Sequence, residues 1–109
     1  KGHDRLREII RRDYETFSSF ALERYFRESF IESSNWTRLG SWWDRKGENE
    51  IDLLAENELD GTYAVCEVKR DKSRIDLERV KAKYGAFVKA SGKWKRVKPQ
   101  FLALSIEDM

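Results

Sequence analysis

Two short stretches of this chain, Glu50-Ile51-Asp52-Leu53-Leu54-Ala55 and Val65-Cys66-Glu67-Val68-Lys69, combine apolar runs with carboxylates and one lysine. Each reads as a β-strand, in which alternate side chains point to opposite faces. Glu50 and Asp52 then share a face of the first strand, and Glu67 and Lys69 a face of the second. If the strands are neighbours, carboxylates and an ammonium converge on one patch. Hard divalent cations such as magnesium prefer oxygen donors of this kind. A lysine beside them suits a metal-bound water, whose pKa it lowers, and a phosphate on which charge is growing. The chemistry implied is that of phosphodiesters. A plainer alternative is a solvated sheet face on which Asp52 or Glu67 pairs with Lys69, itself a common kind of residue at a strand end.

The pattern Asp52 followed by Glu67-Val68-Lys69, introduced by Gly40-Ser41-Trp42-Trp43, resembles the signature of the PD-(D/E)XK nuclease superfamily. More narrowly, the run from about Phe17 to Leu104 is similar to the C-terminal, nuclease-like domain of a family of archaeal-type ATPases, a domain family of unknown function. The resemblance implies Asp52, Glu67, Lys69 and Glu23 as catalytic residues. It implies a Mg2+ or Mn2+ ion held by Asp52, Glu67 and the backbone carbonyl of Val68. Glu23 stands in Ala21-Leu22-Glu23-Arg24-Tyr25, where similar domains more often show Phe-Glu, so Leu22 departs from the pattern. The partners implied are nucleic acid, DNA before RNA, and an ATPase domain preceding this one; a homo-oligomer is a further expectation. A non-catalytic module that binds nucleic acid or protein on the same fold is the rival reading, motivated by the Trp-rich first strand and a basic region.

That region is visible in the charge distribution. The chain has 109 residues and a net charge of +2, but residues 1–68 carry −5 and residues 69–98 carry +9. A basic segment following an acidic cluster suits a metal-dependent enzyme of nucleic acids, although a solvated lysine-rich helix face has the same composition. Candidate nucleic-acid contacts are Arg70, Arg74, Lys81, Lys93, Trp94, Lys95 and Arg96, with Arg79 and Lys83 on the same helix side. In Lys93-Trp94-Lys95-Arg96 an aromatic ring interleaves with cations, as in base-stacking surfaces, but a loop that docks its tryptophan on the body fits equally.

A length of 109 residues accommodates a single modest core. The lone Cys66 excludes an internal disulfide framework and a cysteine zinc cage, and a reducing, cytoplasmic setting is the simplest expectation. No apolar run reaches the roughly 20 residues that span a bilayer, so no membrane is expected. No glycine-rich loop of the Walker type is present.

The elements that must position these residues follow from periodicity. Residues 1–16 read as an N-terminal helix or a linker from a preceding domain, and 17–109 as the nuclease-like domain. A helix to about Glu32 carries Leu22, Tyr25, Phe26 and Phe30, with Ser18 or Ser19 as its N-cap. Strands are predicted at Asn35–Asp44, Glu48–Glu56 and Thr62–Lys69. Alternation along the first places Trp36 and Trp42 on one face and Trp43 on the other. A helix at Ile75–Ala90, with Leu77, Val80, Tyr84, Phe87 and Val88 as its stripe, stops at Gly92. A final strand follows within Phe101–Ile106. The fold class is α/β in the order α-β-β-β-α-β, a mixed sheet flanked by helices with the last strand parallel to its neighbour.

Overall fold

The computed structural model describes residues 19–109. The expectations for residues 1–16 and for Ser18 lie outside the described residues. Helix α1 (Ser19–Ser33) is followed by strands β1 (Arg38–Trp43), β2 (Glu50–Asn57) and β3 (Thr62–Val68), helix α2 (Leu77–Ser91) and strand β4 (Gln100–Leu104). The sheet has the order β1-β2-β3-β4. β1, β2 and β3 are antiparallel in turn, and β4 joins β3 in parallel. A parallel return needs a crossover, and α2 supplies it. The described residues thus form a mixed α/β fold with one helix on each face of a four-stranded sheet.

Each helix buries its apolar stripe on its own face of the sheet. Leu22, Tyr25 and Phe26 of α1 pack with Val68 of β3, and Phe30 reaches Leu53, Ala55, Ala64 and Cys66. On the opposite face Val80 and Phe87 of α2 pack with Ile51, Leu54 and Val65, flanked by Tyr84, Val88, Trp42, Trp94 and Phe101. Leu77, expected in that stripe, is the first residue of α2 and is exposed. α2 starts where the Asp76 carboxylate accepts the Glu78 N–H. It stops at Gly92, whose φ of 71° is the left-handed conformation a helix C-cap favours.

The tryptophans differ from simple alternation. β1 begins at Arg38, so Trp36 precedes the strand and escapes its period; it stacks on Phe30 at 5.6 Å on the α1 side. Trp42 lies in the α2 cluster, on the other face. Trp43 is 66% exposed at the open end of β1.

Candidate functional site

The hairpin between β2 and β3 fixes the central register. Gly61, with a φ of 73°, donates its N–H to the Asn57 carbonyl and closes the turn. The ladder then pairs Asn57 with Thr62 and runs to Leu53 opposite Cys66. The next rung would set Asp52 against Glu67, but it does not form. There the regular pairing ends. The Asp52 carboxylate accepts the Val68 N–H at 2.8 Å, so a side chain satisfies a donor of β3 where the ladder has stopped.

A bulge in β2 lies at this point. Between the pairs Gly40–Leu54 and Trp42–Ile51, β1 advances two residues while β2 advances three. Ile51 and Leu54 consequently pack in the same cluster under α2, although Leu53 between them packs on the α1 side. An extra residue of this kind kinks a strand and re-aims its side chains. Asp52 sits within the bulged stretch.

Glu67 is 5% exposed. Its carboxylate accepts a hydrogen bond from the Lys83 ammonium at 2.9 Å, and the Lys83 side chain is itself only 15% exposed. Lys83 comes from α2, three residues after Val80 and four before Phe87, so it lies along the apolar stripe that covers β3. Sequence reasoning groups it with the phosphate-facing basic residues. The structure instead gives it to Glu67, as a buried carboxylate needs a cation or incurs a large desolvation cost. The signal was available: a lysine at stripe spacing above a strand that carries a glutamate.

Glu23 and Glu50 complete the acidic group. The Glu23 carboxyl is pushed up to about 7, first by burial, then by the charges of Asp52 and Glu50 and more weakly by Glu67, with Arg27 opposing. The Asp52 carboxyl is also raised, mainly by burial, with Glu67 and Glu50 adding to it; the Val68 N–H and Lys83 pull the other way. α1 therefore brings Glu23 within electrostatic reach of Asp52. Like charges held together in this way need a proton or a cation between them. Among the described residues, however, no group of three or more histidine, cysteine, aspartate or glutamate side chains is arranged to hold a metal ion. Cys66, expected as a buried small hydrophobe, is fully buried beside Leu53 and Ala64, and burial pushes its thiol up to about 12.

Lys69 follows β3 directly, and its N–H is donated to the Leu104 carbonyl. Its half-buried side chain has no ion-pair partner among the described residues. The expected nucleic-acid contacts divide into two sets. Arg70 and Arg74, both exposed, follow β3 at the end that carries Glu67. Lys93, Lys95 and Arg96 are exposed in the loop after α2, which meets the opposite end of the sheet. That loop is anchored by Trp94, whose ring meets Tyr63 at 4.9 Å and Phe87 at 5.7 Å. Its backbone is tied down as well, because the Tyr84 hydroxyl donates to the Trp94 carbonyl at 2.9 Å. Trp94 thus docks on the body of the domain rather than lying open to a base. Tyr63 precedes Glu67 by four residues, which at about 3.3 Å each puts this loop roughly 13 Å from the carboxylates. Lys81 pairs with Glu78 at 3.1 Å and lies 5.8 Å from the Phe101 ring centre.

These observations define a mixed α/β domain whose carboxylates gather at one end of a bulged sheet, one of them bridged to a partly buried lysine. Its family is shown by sequence: residues 1–84 match the DUF234 family, described as archaea bacterial proteins of unknown function, and the chain belongs to it. The match includes Glu23, Asp52, Glu67, Lys69 and Lys83 and ends within α2. No curated protein and no solved structure matches the chain. No described helix is long and apolar enough to cross a membrane.

Proposed function

We propose that this domain binds a divalent cation and hydrolyses phosphodiester bonds of nucleic acid, on a core of the PD-(D/E)XK type that forms the C-terminal part of a larger ATPase. The observation that carries the reading is the Asp52 carboxylate hydrogen-bonded to the N–H of Val68, the residue next to Glu67, with Lys69 one further on and without an ion-pair partner among the described residues. The order of elements and the parallel return of β4 agree with such a core. The donor types, carboxylate oxygens and a nearby backbone carbonyl, are those that Mg2+ or Mn2+ prefers. Asp52, Glu67 and the Val68 carbonyl would hold the ion, with Glu23 in support. Once bound, the ion supplies Lewis acidity toward a phosphate oxygen.

The chain's own groups carry the rest. Asp52 holds the end of β3 through the Val68 N–H, which fixes the spacing of the two strands where the substrate must enter. Lys69 orients the attacking water and stabilises charge growing on the phosphate. Arg70 and Arg74 hold the nucleic-acid backbone without reading its sequence. The test is nicking of DNA by the full-length protein with Mg2+ or Mn2+, expected to vanish in Asp52→Ala and in Lys69→Ala. A protein that binds metal and DNA but cuts no nucleic acid would refute the catalytic part.

One observation favours the rival reading of a docking module on the same fold. The most deeply buried carboxylate of the group, Glu67, is already neutralised by Lys83, and no metal-holding group is assembled among the described residues. A pure docking module gains no carboxylate-dependent stability from magnesium, which thermal unfolding with and without the ion measures.

A further inference from the structure

Glu67 and Lys83 differ from the surface ion pairs of this domain. The side chains of Arg24 and Glu28, for example, are 70% and 39% exposed, whereas those of Glu67 and Lys83 are 6% and 15% exposed and 2.9 Å apart. Neither charge can be left alone at that depth without a large penalty. A divalent ion that takes up Glu67 must therefore displace Lys83 or share the carboxylate with it. The stem of Lys83 is fixed by its helix, because Val80 and Phe87 on either side of it are 1% and 5% exposed. Its head ends a flexible four-carbon chain and can withdraw while the backbone stays in place.

We propose that Lys83 is the resident counter-cation of this centre: it holds Glu67 while no metal is bound, and a divalent ion gains that carboxylate only in competition with it. The inference rests on the metal-binding reading above and assigns the two lysines different work. Lys83 regulates access to the carboxylate, and Lys69, two residues from Glu67 and without an ion-pair partner among the described residues, remains for the phosphate. Lys83 acts through Glu67 and is a positioning residue. Its presence would weaken metal binding, because a positive charge 2.9 Å from the Glu67 carboxylate opposes a second cation there.

Binding of Mn2+ alone to the full chain tests this, read by titration calorimetry or by the resonance of free Mn2+, at fixed pH and without nucleic acid. Lys83→Met is expected to bind Mn2+ about tenfold more tightly than the wild type, the size of effect expected from removing one nearby charge in a partly screened site. Lys83→Arg keeps the charge and should stay near the wild type. Lys69→Met should change the affinity much less. Adding Glu67→Gln to the wild type and to Lys83→Met should erase the difference between them. Unfolding gives a second readout: Mn2+ raises the melting temperature of Lys83→Met more than that of the wild type. If Lys83→Met folds only when Mn2+ is supplied, and not in potassium of equal ionic strength, the exchange of cations is supported directly. Failure to fold in both solutions overturns it. Wild-type binding with equal or weaker binding by Lys83→Met removes the role of Lys83 alone. If neither protein binds Mn2+ in a way that Glu67→Gln abolishes, the metal-binding reading falls with it.

Discussion

Glu23 is the carboxyl of this domain that best exposes the tension in its acidic group. Burial and the charges of Asp52 and Glu50 raise it from an ordinary 4.5 to about 7. A folded-state pKa above the unfolded one means that the native protein holds the extra proton. The associated stability is complete below about pH 4.5 and is lost as pH rises through about 7. Asp52, raised in the same direction, adds a loss of the same sign. Glu23→Gln should therefore stabilise the metal-free protein above pH 7 and leave it little changed near pH 4. Because Glu23 is partly exposed and screened by solvent, the gain is about 1 kcal/mol. Urea unfolding of both proteins at the two pH values measures it, and equal midpoints at alkaline pH would show that the crowding of charges is absent.

Among the elements, α2 does the most to hold the site together, since it covers β3, carries Lys83 and returns the chain to β4. Its first turn depends on the Asp76 cap and its packing on Phe87, which meets Trp42 and Trp94 edge-on at 5.7 Å each. Asp76→Ala should cost about 1 kcal/mol of stability, and Phe87→Ala about 4 kcal/mol, since it opens a cavity beneath the helix. Denaturant midpoints separate the two. In Phe87→Ala the loss should be accompanied by exposure of Trp94, read from its fluorescence. The β2 bulge is the other element-level device. It lets Ile51 and Leu54 share one core cluster.

Over the whole molecule, charge follows the chain more simply than it follows space. The +9 of residues 69–98 is continuous in sequence, but α2 carries its two ends to opposite ends of the sheet. Lys72 and Lys81 are also partly neutralised, by Asp108 at 2.8 Å and Glu78 at 3.1 Å. A duplex held at both ends of the helix would feel both sets of cations. Replacing Lys93, Lys95 and Arg96 together by serine should then flatten the dependence of DNA affinity on salt by about 2 or more in log–log slope, near 1 for each lost phosphate contact. Anisotropy titrations of a labelled duplex over a range of salt concentrations read this slope. An unchanged slope would confine nucleic acid to the end that carries Arg70 and Arg74.

The hairpin made the register of β2 against β3 legible in the primary structure. Asn57-to-Gly61 turn residues and two alternating strands fix a register by local rules, and every later pair follows by counting. The helical stripes were legible for the same reason, as was the stop at Gly92: each depends on residues a few positions apart. Trp36 was misplaced because a strand boundary shifted by three residues, and alternation has no force outside the strand. Lys83 and the bulge belong to another category. The lysine finds Glu67 across a crossover of 16 residues, and the extra residue in β2 is set by how β1 must fit beside it. Local periodicity names which residues are available for chemistry. Which cation reaches a buried carboxylate first depends on which helix is packed over it, and only the closed fold decides that.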